Sequence, residues 1–155
     1  MINTVIIYAS RHHGNTFKVI KAISEKYNVD LINATCQESA DLSKYDLIGF
    51  ASGIDFGKFY QPIEQFIKEN LPSKKNVFFI YTCAKQNNHF TNTVTSIAKE
   101  KDAYIVGEFG CKGYNTYGPL KIIGGMNKSH PDEDDIKNAL TFYEHIIKKI
   151  DLSLN

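Results

Sequence analysis

Short apolar runs, rich in β-branched and aromatic residues, recur along this chain and alternate with segments of helical periodicity. The runs cover residues 4–9, 29–32, 46–51, 77–81 and 103–109. Three of them are almost continuously apolar, which is typical of strands buried on both faces of a parallel sheet. The runs 29–32 and 103–109 are interrupted by polar residues and glycine, which is typical of strands at the edges of a sheet. The alternation predicts an α/β fold, a doubly wound five-stranded parallel sheet with right-handed crossovers. At 155 residues we expect a single domain over 1–155.

Four segments between these runs carry the apolar spacing of helices. They begin near Thr16, Pro62, Phe90 and Ile136, and a shorter helix is expected at 38–42 in the second crossover. Proline suits a first helical position, as at Pro62. The last helix is preceded by acidic residues 132–135 and closes with two lysines at 148–149, so both ends complement the helix macrodipole. We interpret the acidic run as a cap and predict no metal site.

Residues 110–130 interrupt the alternation. This glycine-rich segment of 21 residues contains Tyr114, Tyr117 and an apolar patch at 120–123. Connections this long in a compact domain are commonly binding loops or lids. The alternative is a decoration that covers one edge of the sheet.

Charge and composition exclude several classes of protein. There are 18 Lys and Arg residues against 17 Asp and Glu residues, so the basic excess of a nucleic-acid binder is missing. No apolar run approaches the roughly 18 residues of a membrane span, and residues 1–4 do not resemble a signal peptide. Three distant cysteines favour neither a disulfide framework nor a zinc site and suit the reducing cytoplasm.

The loops that follow the first, third and fourth runs are the expected ligand site, because ligands of open α/β sheets bind beyond the carboxyl ends of the strands. The first loop, 10–16, has neither the Gly-Lys-Ser/Thr ending of a nucleotide-binding P-loop nor a Gly-x-Gly-x-x-Gly turn. It offers short hydroxyl and amide side chains at a helix N-terminus, which suits a phosphate monoester. An ordinary turn with a helix cap would contain similar residues.

The second loop, 52–60, combines glycines with three aromatic residues just after a buried strand. Exposed rings beside flexible backbone provide a stacking surface for a flat ring system, and Phe56 and Tyr60 are the candidates. Some of these rings are expected only to cover the following helix.

The layout of strands, the Gly14-Asn15-Thr16 ending of the first loop and the glycine-aromatic loop resemble the flavodoxin family over essentially the whole chain. The resemblance implies strand order 2-1-3-4-5 and the cofactor FMN, with the phosphate in the first loop and the isoalloxazine between the second and third loops. It implies as cofactor-binding residues Ser10, Arg11, His12, His13, Gly14, Asn15, Thr16, Ser52, Gly53, Ile54, Asp55, Phe56, Gly57, Thr82, Cys83, Ala84 and Lys85.

Several features depart from the family pattern. The first loop is one residue longer than Ser/Thr-x-Thr-Gly-Asn-Thr, and basic residues 11–13 stand where threonines are common. Net charge is +1, whereas flavodoxins that shuttle electrons are typically acidic. The third loop has no ring before His89, so Tyr114 or Tyr117 is expected to cover the flavin instead. Cys83 and Cys111 end neighbouring strands, and we expect them to lie close together, either as small buried hydrophobes or as redox partners.

Two related classes are excluded or disfavoured. Response-regulator receivers need an acidic pair after the first strand, which Tyr8-Ala9-Ser10 lacks, and the dinucleotide fingerprint of a Rossmann dehydrogenase is missing. The favoured function is FMN-dependent electron transfer with a redox partner protein, without catalytic side chains. The alternative is an FMN-dependent reductase or oxidase acting on a quinone, porphyrinogen or similar small flat substrate. A third reading is a domain that has lost the cofactor and binds a partner protein.

Overall fold

The computed structural model describes residues 1–116 and 122–155, and His12 by its backbone only. The described elements are β1 Thr4–Ala9, α1 Asn15–Tyr27, β2 Asp30–Asn33, β3 Leu47–Asp55, β4 Lys58–Phe59, α2 Gln61–Asn70, β5 Asn76–Cys83, α3 Asn92–Glu100, β6 Tyr104–Lys112 and α4 Glu133–Leu154. Five strands form a parallel sheet in the order β2-β1-β3-β5-β6. The predicted fold and strand order are confirmed, since β4 only pairs antiparallel with β3 outside this path.

Helices cover both faces of the sheet. The side chains of β5 alternate strictly: Val77, Phe79 and Tyr81 pack into the core on the α2 and α3 face, and Phe78 and Ile80 into the core on the α1 and α4 face. This two-sided burial explains why the central strands are almost continuously apolar in sequence. The predicted edge strands, β2 and β6, do lie at the edges.

The N-terminus of α4 is closed by a capping box. Asp132 accepts a hydrogen bond from the Asp135 amide, and the Asp135 carboxylate accepts one from the Asp132 amide, each at 2.9 Å. These bonds satisfy orphan donors of the first turn, so the predicted cap is confirmed. The helix runs past the lysines at 148–149 to Leu154, further than predicted.

Two segments that we predicted as loops are partly strand. Residues 52–60 form a hairpin, because β3 extends to Asp55 and β4 returns beside it. Strand β6 extends to Lys112, so the long excursion begins at Gly113 rather than at residue 110. Gly110 lies within this strand. Glycine is needed there because the Tyr81 ring occupies the space that a side chain would fill. Glycine here marks a close approach of two elements instead of a turn.

The short helix expected at 38–42 does not form; residues 34–45, all described, are turns and extended chain. The Asn33 carboxamide oxygen accepts from the Thr35 amide at 3.0 Å, and the Asp41 carboxylate accepts from the Ser43 amide at 2.9 Å. Such local side-chain bonds compete with helix formation. Among the described residues, none of the helices is both long and apolar enough to cross a bilayer.

Candidate functional site

A cleft of about 380 Å³ opens at the carboxyl end of the sheet, beyond β1, β3 and β5. It lies where the strand order reverses between β1 and β3, the usual ligand position in such folds. Four segments line it: the loop before α1, the β3–β4 hairpin, the end of β5, and the chain that follows β6. The lining residues are Ser10, Arg11, Asn15, Thr16, Gly53, Ile54, Asp55, Phe56, Tyr60, Thr82, Cys83, Ala84, Gly113, Tyr114 and Asn115.

The loop between β1 and α1 presents backbone amides to the cleft. His13 and Gly14 both have positive φ, 56° and 65°, between helical residues on either side. Successive amides in such a conformation, followed by the first amides of a helix, form an anion-binding concavity. The Ser10 hydroxyl accepts from the Phe17 amide at 3.2 Å and thereby fixes the mouth of this concavity.

Asn15 and Thr16 make protein contacts instead of facing the cleft freely. The Asn15 carboxamide donates to the Tyr114 carbonyl at 2.8 Å and accepts from the Tyr114 amide at 3.2 Å. The Thr16 hydroxyl is hydrogen-bonded to the Thr82 hydroxyl at 2.8 Å inside the protein. The two side chains therefore tie the start of α1 to the chain after β6 and to β5, and the backbone amides remain the main anion donors.

The chain after β6 packs closely on the first loop. A Cβ atom on Gly113 would lie 2.7 Å from the Asn15 Nδ2 atom, so only glycine allows this approach. The His13 ring stacks on the Tyr114 ring at 4.1 Å between centroids, and its Nε2 atom lies 2.8 Å from the Thr116 hydroxyl. Tyr114 thus forms one wall of the cleft, and its expected position over the flavin stays a prediction; Tyr117 lies outside the described residues.

Arg11 and Tyr60 meet across the cleft. The Arg11 guanidinium lies 4.6 Å from the centre of the Tyr60 ring, within the range of a cation–π interaction. The Tyr60 ring covers Gly53, and the buried Ser52 hydroxyl accepts from the Tyr60 amide at 2.9 Å. Burial raises the pKa of the Tyr60 hydroxyl, so this phenol stays protonated at neutral pH. Ser52 is therefore structural, and Tyr60 forms a wall of the site.

Phe56 projects from the tip of the hairpin between β3 and β4. Its φ is 50° and that of Gly57 is 78°, the pattern of a type I′ turn, and the Phe56 side chain is 91% exposed. A bulky residue pays a conformational penalty in this region of φ. Lys58 in β4 forms an ion pair of 3.5 Å with the buried Glu64 of α2, which anchors the hairpin.

The two cysteines at the strand ends lie close together, as expected, because the Cys83 thiol donates to the Cys111 carbonyl at 3.6 Å, but their thiols point to opposite faces of the sheet. Cys83 belongs to the core on the α2 and α3 face, and Cys111 to the core on the α1 and α4 face. The reason is register: Cys111 pairs with Thr82, and Cys83 pairs with Lys112. Burial raises the pKa of Cys83 to about 11 and that of Cys111 to about 12. These thiols are small buried groups and carry no thiolate at neutral pH.

The structure brings most of the predicted site residues together. Eleven of the seventeen line the cleft. Those that do not are His13, Gly14, Ser52, Gly57 and Lys85, which lie beside it, and His12, whose side chain is outside the described part. Gly113 and Asn115 were missed. Their signal was the strand pairing of β6, which carries the chain beside the end of β5, but glycines in this region indicated a loop instead.

Within residues 1–116 and 122–155, one group of side chains has the spacing of metal ligands: His130, Asp132 and Asp135. The His130 Nδ1 atom lies 2.6 Å from the Asp135 carboxylate, and both carboxylates are engaged in the α4 cap. The capping box accounts for this arrangement.

Comparison with known proteins agrees with this architecture. Residues 5–115 match the flavodoxin domain family. The chain belongs to that family. A relative in Methanocaldococcus jannaschii, an uncharacterized protein, is 40% identical over 149 residues, which is 95% of this chain and 99% of the relative. The conserved length shows that this flavodoxin-family chain and its relative share the region beyond residue 115.

Solved structures show the same fold. A flavodoxin from the domain Archaea aligns with a TM-score of 0.67 and 18% identity, over 96% of this chain and 99% of that chain. A flavoprotein in complex with FMN from Lactobacillus acidophilus aligns with a TM-score of 0.58 and 19% identity, over 71% of this chain and 93% of that chain. At these identities the likeness concerns the fold.

Proposed function

We propose that this flavodoxin-family protein binds FMN in the cleft and transfers electrons to or from a partner protein. The observation that carries the proposal is the position of the cleft, at the reversal of strand order and against the amides that open α1. The flavoprotein from Lactobacillus acidophilus, which has this fold, was solved with FMN. All three cysteines are free, which fits our expectation of a reducing cytoplasm.

The residues present fit such a cofactor. A volume of about 380 Å³ lies in the range of small-molecule and cofactor sites. The lining combines an anion-binding end, formed by the loop before α1, with ring and backbone surfaces from Tyr60, Tyr114 and the hairpin. This division matches a ligand with a phosphate at one end and a flat ring system at the other.

Each wall then has a distinct role. The amides that open α1 would hold the phosphate, and Arg11 would supply a positive charge that an uncharged loop lacks. Gly53, Ile54, Phe56 and Tyr60 would border one side of the ring, and Thr82 to Ala84 with Tyr114 the other. FMN supplies the one-electron chemistry when bound, and the protein binds it, orients it and limits its contact with water.

Two titratable side chains that line the cleft offer no acid–base group at neutral pH. Burial keeps the Tyr60 phenol and the Cys83 thiol protonated at neutral pH, since it raises the pKa of both. Neither group is then poised to exchange a proton with a substrate near pH 7, as an acid–base catalyst must.

A direct test is to purify the protein, record its visible spectrum and identify any released yellow compound by mass. For flavin-free protein, titration against FMN fluorescence should give saturable quenching. We expect Arg11→Ala to weaken FMN at least about tenfold, because a charged hydrogen-bond partner contributes roughly 1.5–3 kcal/mol. Lys44→Ala, which removes a cation at the other end of the sheet, should leave the affinity unchanged. A colourless protein that quenches no FMN fluorescence contradicts the proposal and favours the cofactor-free reading.

The second candidate is an FMN-dependent reductase or oxidase acting on a quinone, porphyrinogen or similar flat substrate. Residues 113–115, which follow β6, favour it, because Tyr114 and Asn115 add a wall that shapes a pocket rather than an open edge. Steady oxidation of NAD(P)H with a soluble quinone as acceptor supports this candidate. Reduction that requires a separate partner reductase supports the carrier.

A further inference from the structure

Four exposed apolar side chains belong to the β3–β4 hairpin or to residues 122–126. Phe56 is 91% exposed, Ile122 87%, Ile123 75% and Met126 37%. Phe56 lines the cleft, and Met126 forms a bridge with Asn115, another lining residue. Apolar groups gathered at a functional opening are typical of a protein-docking surface.

Lysines lie beside these apolar groups. Lys112 is the strand partner of Cys83, which lines the cleft. Lys85 and Lys128 follow Ala84 and Asn127, whose carbonyl and carboxamide are joined by a hydrogen bond of 2.7 Å. The three lysines therefore come from adjoining segments and are all exposed. With Arg11 on the other side of the cleft, we call these four residues the basic rim.

The basic rim is weakly opposed by acidic groups. Within the described residues, none of its four cations is in an ion pair. Four loops line the cleft, formed by residues 10–16, 52–60, 82–91 and 110–130. Their described parts contain one carboxylate, Asp55. Besides the four rim residues they contain one further cation, Lys58, which is paired with Glu64. The described parts of these loops therefore carry more cations than carboxylates, although the whole chain carries only +1.

The acidic start of α4 lies at the same end of the sheet but on its other face. Ile136 and Ala139 of this helix pack into the core beside α1, and Lys18 of α1 donates to the Pro131 carbonyl at 3.0 Å. Cys83, the strand partner of Lys112, belongs to the core on the opposite face. The acidic residues 132–135 thus pack on the face opposite to that of Cys83, but Lys128 of the basic rim is close to them in the chain, and the His130 carbonyl accepts from the Tyr114 amide at 2.9 Å.

We propose that the basic rim and its apolar centre dock an electron-transfer partner protein with an acidic surface. The proposal rests on the proposed function and adds the sign of the partner's charge. The partner and this protein exchange one electron, and no atom is transferred between them. Rim charges set the association rate and orientation, while Phe56 and the apolar residues at 122–126 supply the buried contact.

The test uses an acidic [2Fe–2S] ferredoxin as the probe and a basic cytochrome c as its opposite. Backbone amide spectra of isotope-labelled protein are recorded with each probe, for FMN-loaded and for flavin-free protein. We expect ferredoxin to perturb amides at 54–57, 84–85, 112–115 and 122–128. We also expect its affinity to fall at least about tenfold between about 20 mM and 200 mM salt.

Matched charge reversals separate the patch from net charge. The triple variant Lys85→Glu, Lys112→Glu, Lys128→Glu should weaken ferredoxin at least about tenfold. The triple variant Lys44→Glu, Lys74→Glu, Lys99→Glu makes the same charge change at the amino end of the sheet and should change the affinity less than about twofold. Replacing Lys85, Lys112 and Lys128 by glutamine is a milder change that controls for misfolding. It should give an intermediate loss of ferredoxin affinity.

Equal losses in the two triple variants would overturn the proposal, as would amide shifts outside the rim. Tighter binding of cytochrome c, or of a DNA duplex at the same salt, would overturn it as well. If the protein binds no FMN, the proposed function fails, but the amide map of the flavin-free protein still tests the surface. The two failures are therefore distinguishable.

Discussion

At the scale of single residues, Asn15 connects the first loop to the end of β6. Its carboxamide both donates to and accepts from the backbone of Tyr114, in the manner of a short strand pair. Gly113 leaves room for this contact, since a Cβ atom there would lie 2.7 Å from the side-chain Nδ2 atom of Asn15. The pair determines where the wall of the cleft begins.

We predict that Gly113→Ala lowers the free energy of unfolding by about 1–3 kcal/mol through overpacking. In an Asn15→Ala background the same change should cost much less, because the crowded carboxamide is gone. Urea unfolding of the two single variants and the double variant measures this coupling, and Asn88→Ala on an exposed loop is the control. Additive effects of the two changes would show that the contact does not limit stability.

The buried thiols make stability depend on pH in the alkaline range. Burial raises the pKa of Cys83 to about 11 and of Cys111 to about 12, against an ordinary value near 9. Between the ordinary pKa near 9 and the raised values in the folded protein, the unfolded chain has lost thiol protons that the folded chain still holds. The free energy of unfolding therefore falls as pH rises. We predict this fall from about pH 9 to pH 11. In Cys83→Ala and Cys111→Ala together the slope should be smaller; an unchanged slope contradicts the assignment.

Single residues also show what sequence could and could not predict about the site. Ser10, Thr82 and the glycine before α1 were identifiable because parallel strands end at one edge and helix N-termini bind anions. The roles of Asn15 and Thr16 were not, because their partners, Tyr114 and Thr82, lie 99 and 66 residues away along the chain. Burial and tertiary hydrogen bonds decide such roles.

At the scale of elements, the hairpin between β3 and β4 places Phe56 in a conformation that favours asparagine or glycine. Because Phe56 lines the cleft, we infer that its ring contributes to ligand binding at the cost of this conformation. The hairpin is held by pairing of Ile54 with Phe59 and by the ion pair of Lys58 with Glu64.

We predict that Phe56→Asn stabilises the flavin-free protein by about 0.5–1 kcal/mol, because asparagine tolerates positive φ better. The same change should weaken FMN, because a contact of the ring is lost. Thermal unfolding and FMN titration measure the two effects. Lys74→Asn is the matched control: Lys74 also has positive φ, 60°, but lies far from the cleft. A Phe56 variant that gains stability and keeps full FMN affinity would show that the ring has no role in binding.

The elements themselves were largely predictable, because five apolar runs and four helical patterns correspond to observed strands and helices. The misses have local causes. Gly110 looks like the start of a loop, but it accommodates the Tyr81 ring of the neighbouring strand. The second crossover carries only a weak helical pattern, and side-chain bonds from Asn33 and Asp41 favour turns over the short helix expected at 38–42.

At the scale of the whole molecule, the distribution of charge distinguishes this protein from acidic flavodoxins. Arg11, Lys85, Lys112 and Lys128 surround the cleft, and positive charge nearby stabilises added electrons. We predict a less negative potential for the lower one-electron couple than acidic flavodoxins show. Lys85→Glu with Lys112→Glu should make it more negative, and Lys44→Glu with Lys74→Glu should not. Spectroelectrochemical titration decides, and a couple as low as that of acidic flavodoxins contradicts the charge argument.

The central claim is that the amides opening α1 hold the phosphate of the cofactor. The most direct measurement is the ratio of affinities for FMN and riboflavin, which differ only in that phosphate, by calorimetric titration of the flavin-free protein. We predict that FMN binds at least about tenfold tighter, since charged hydrogen bonds contribute roughly 1.5–3 kcal/mol each. Arg11→Gln should reduce the ratio. Equal affinities for the two flavins would contradict the account.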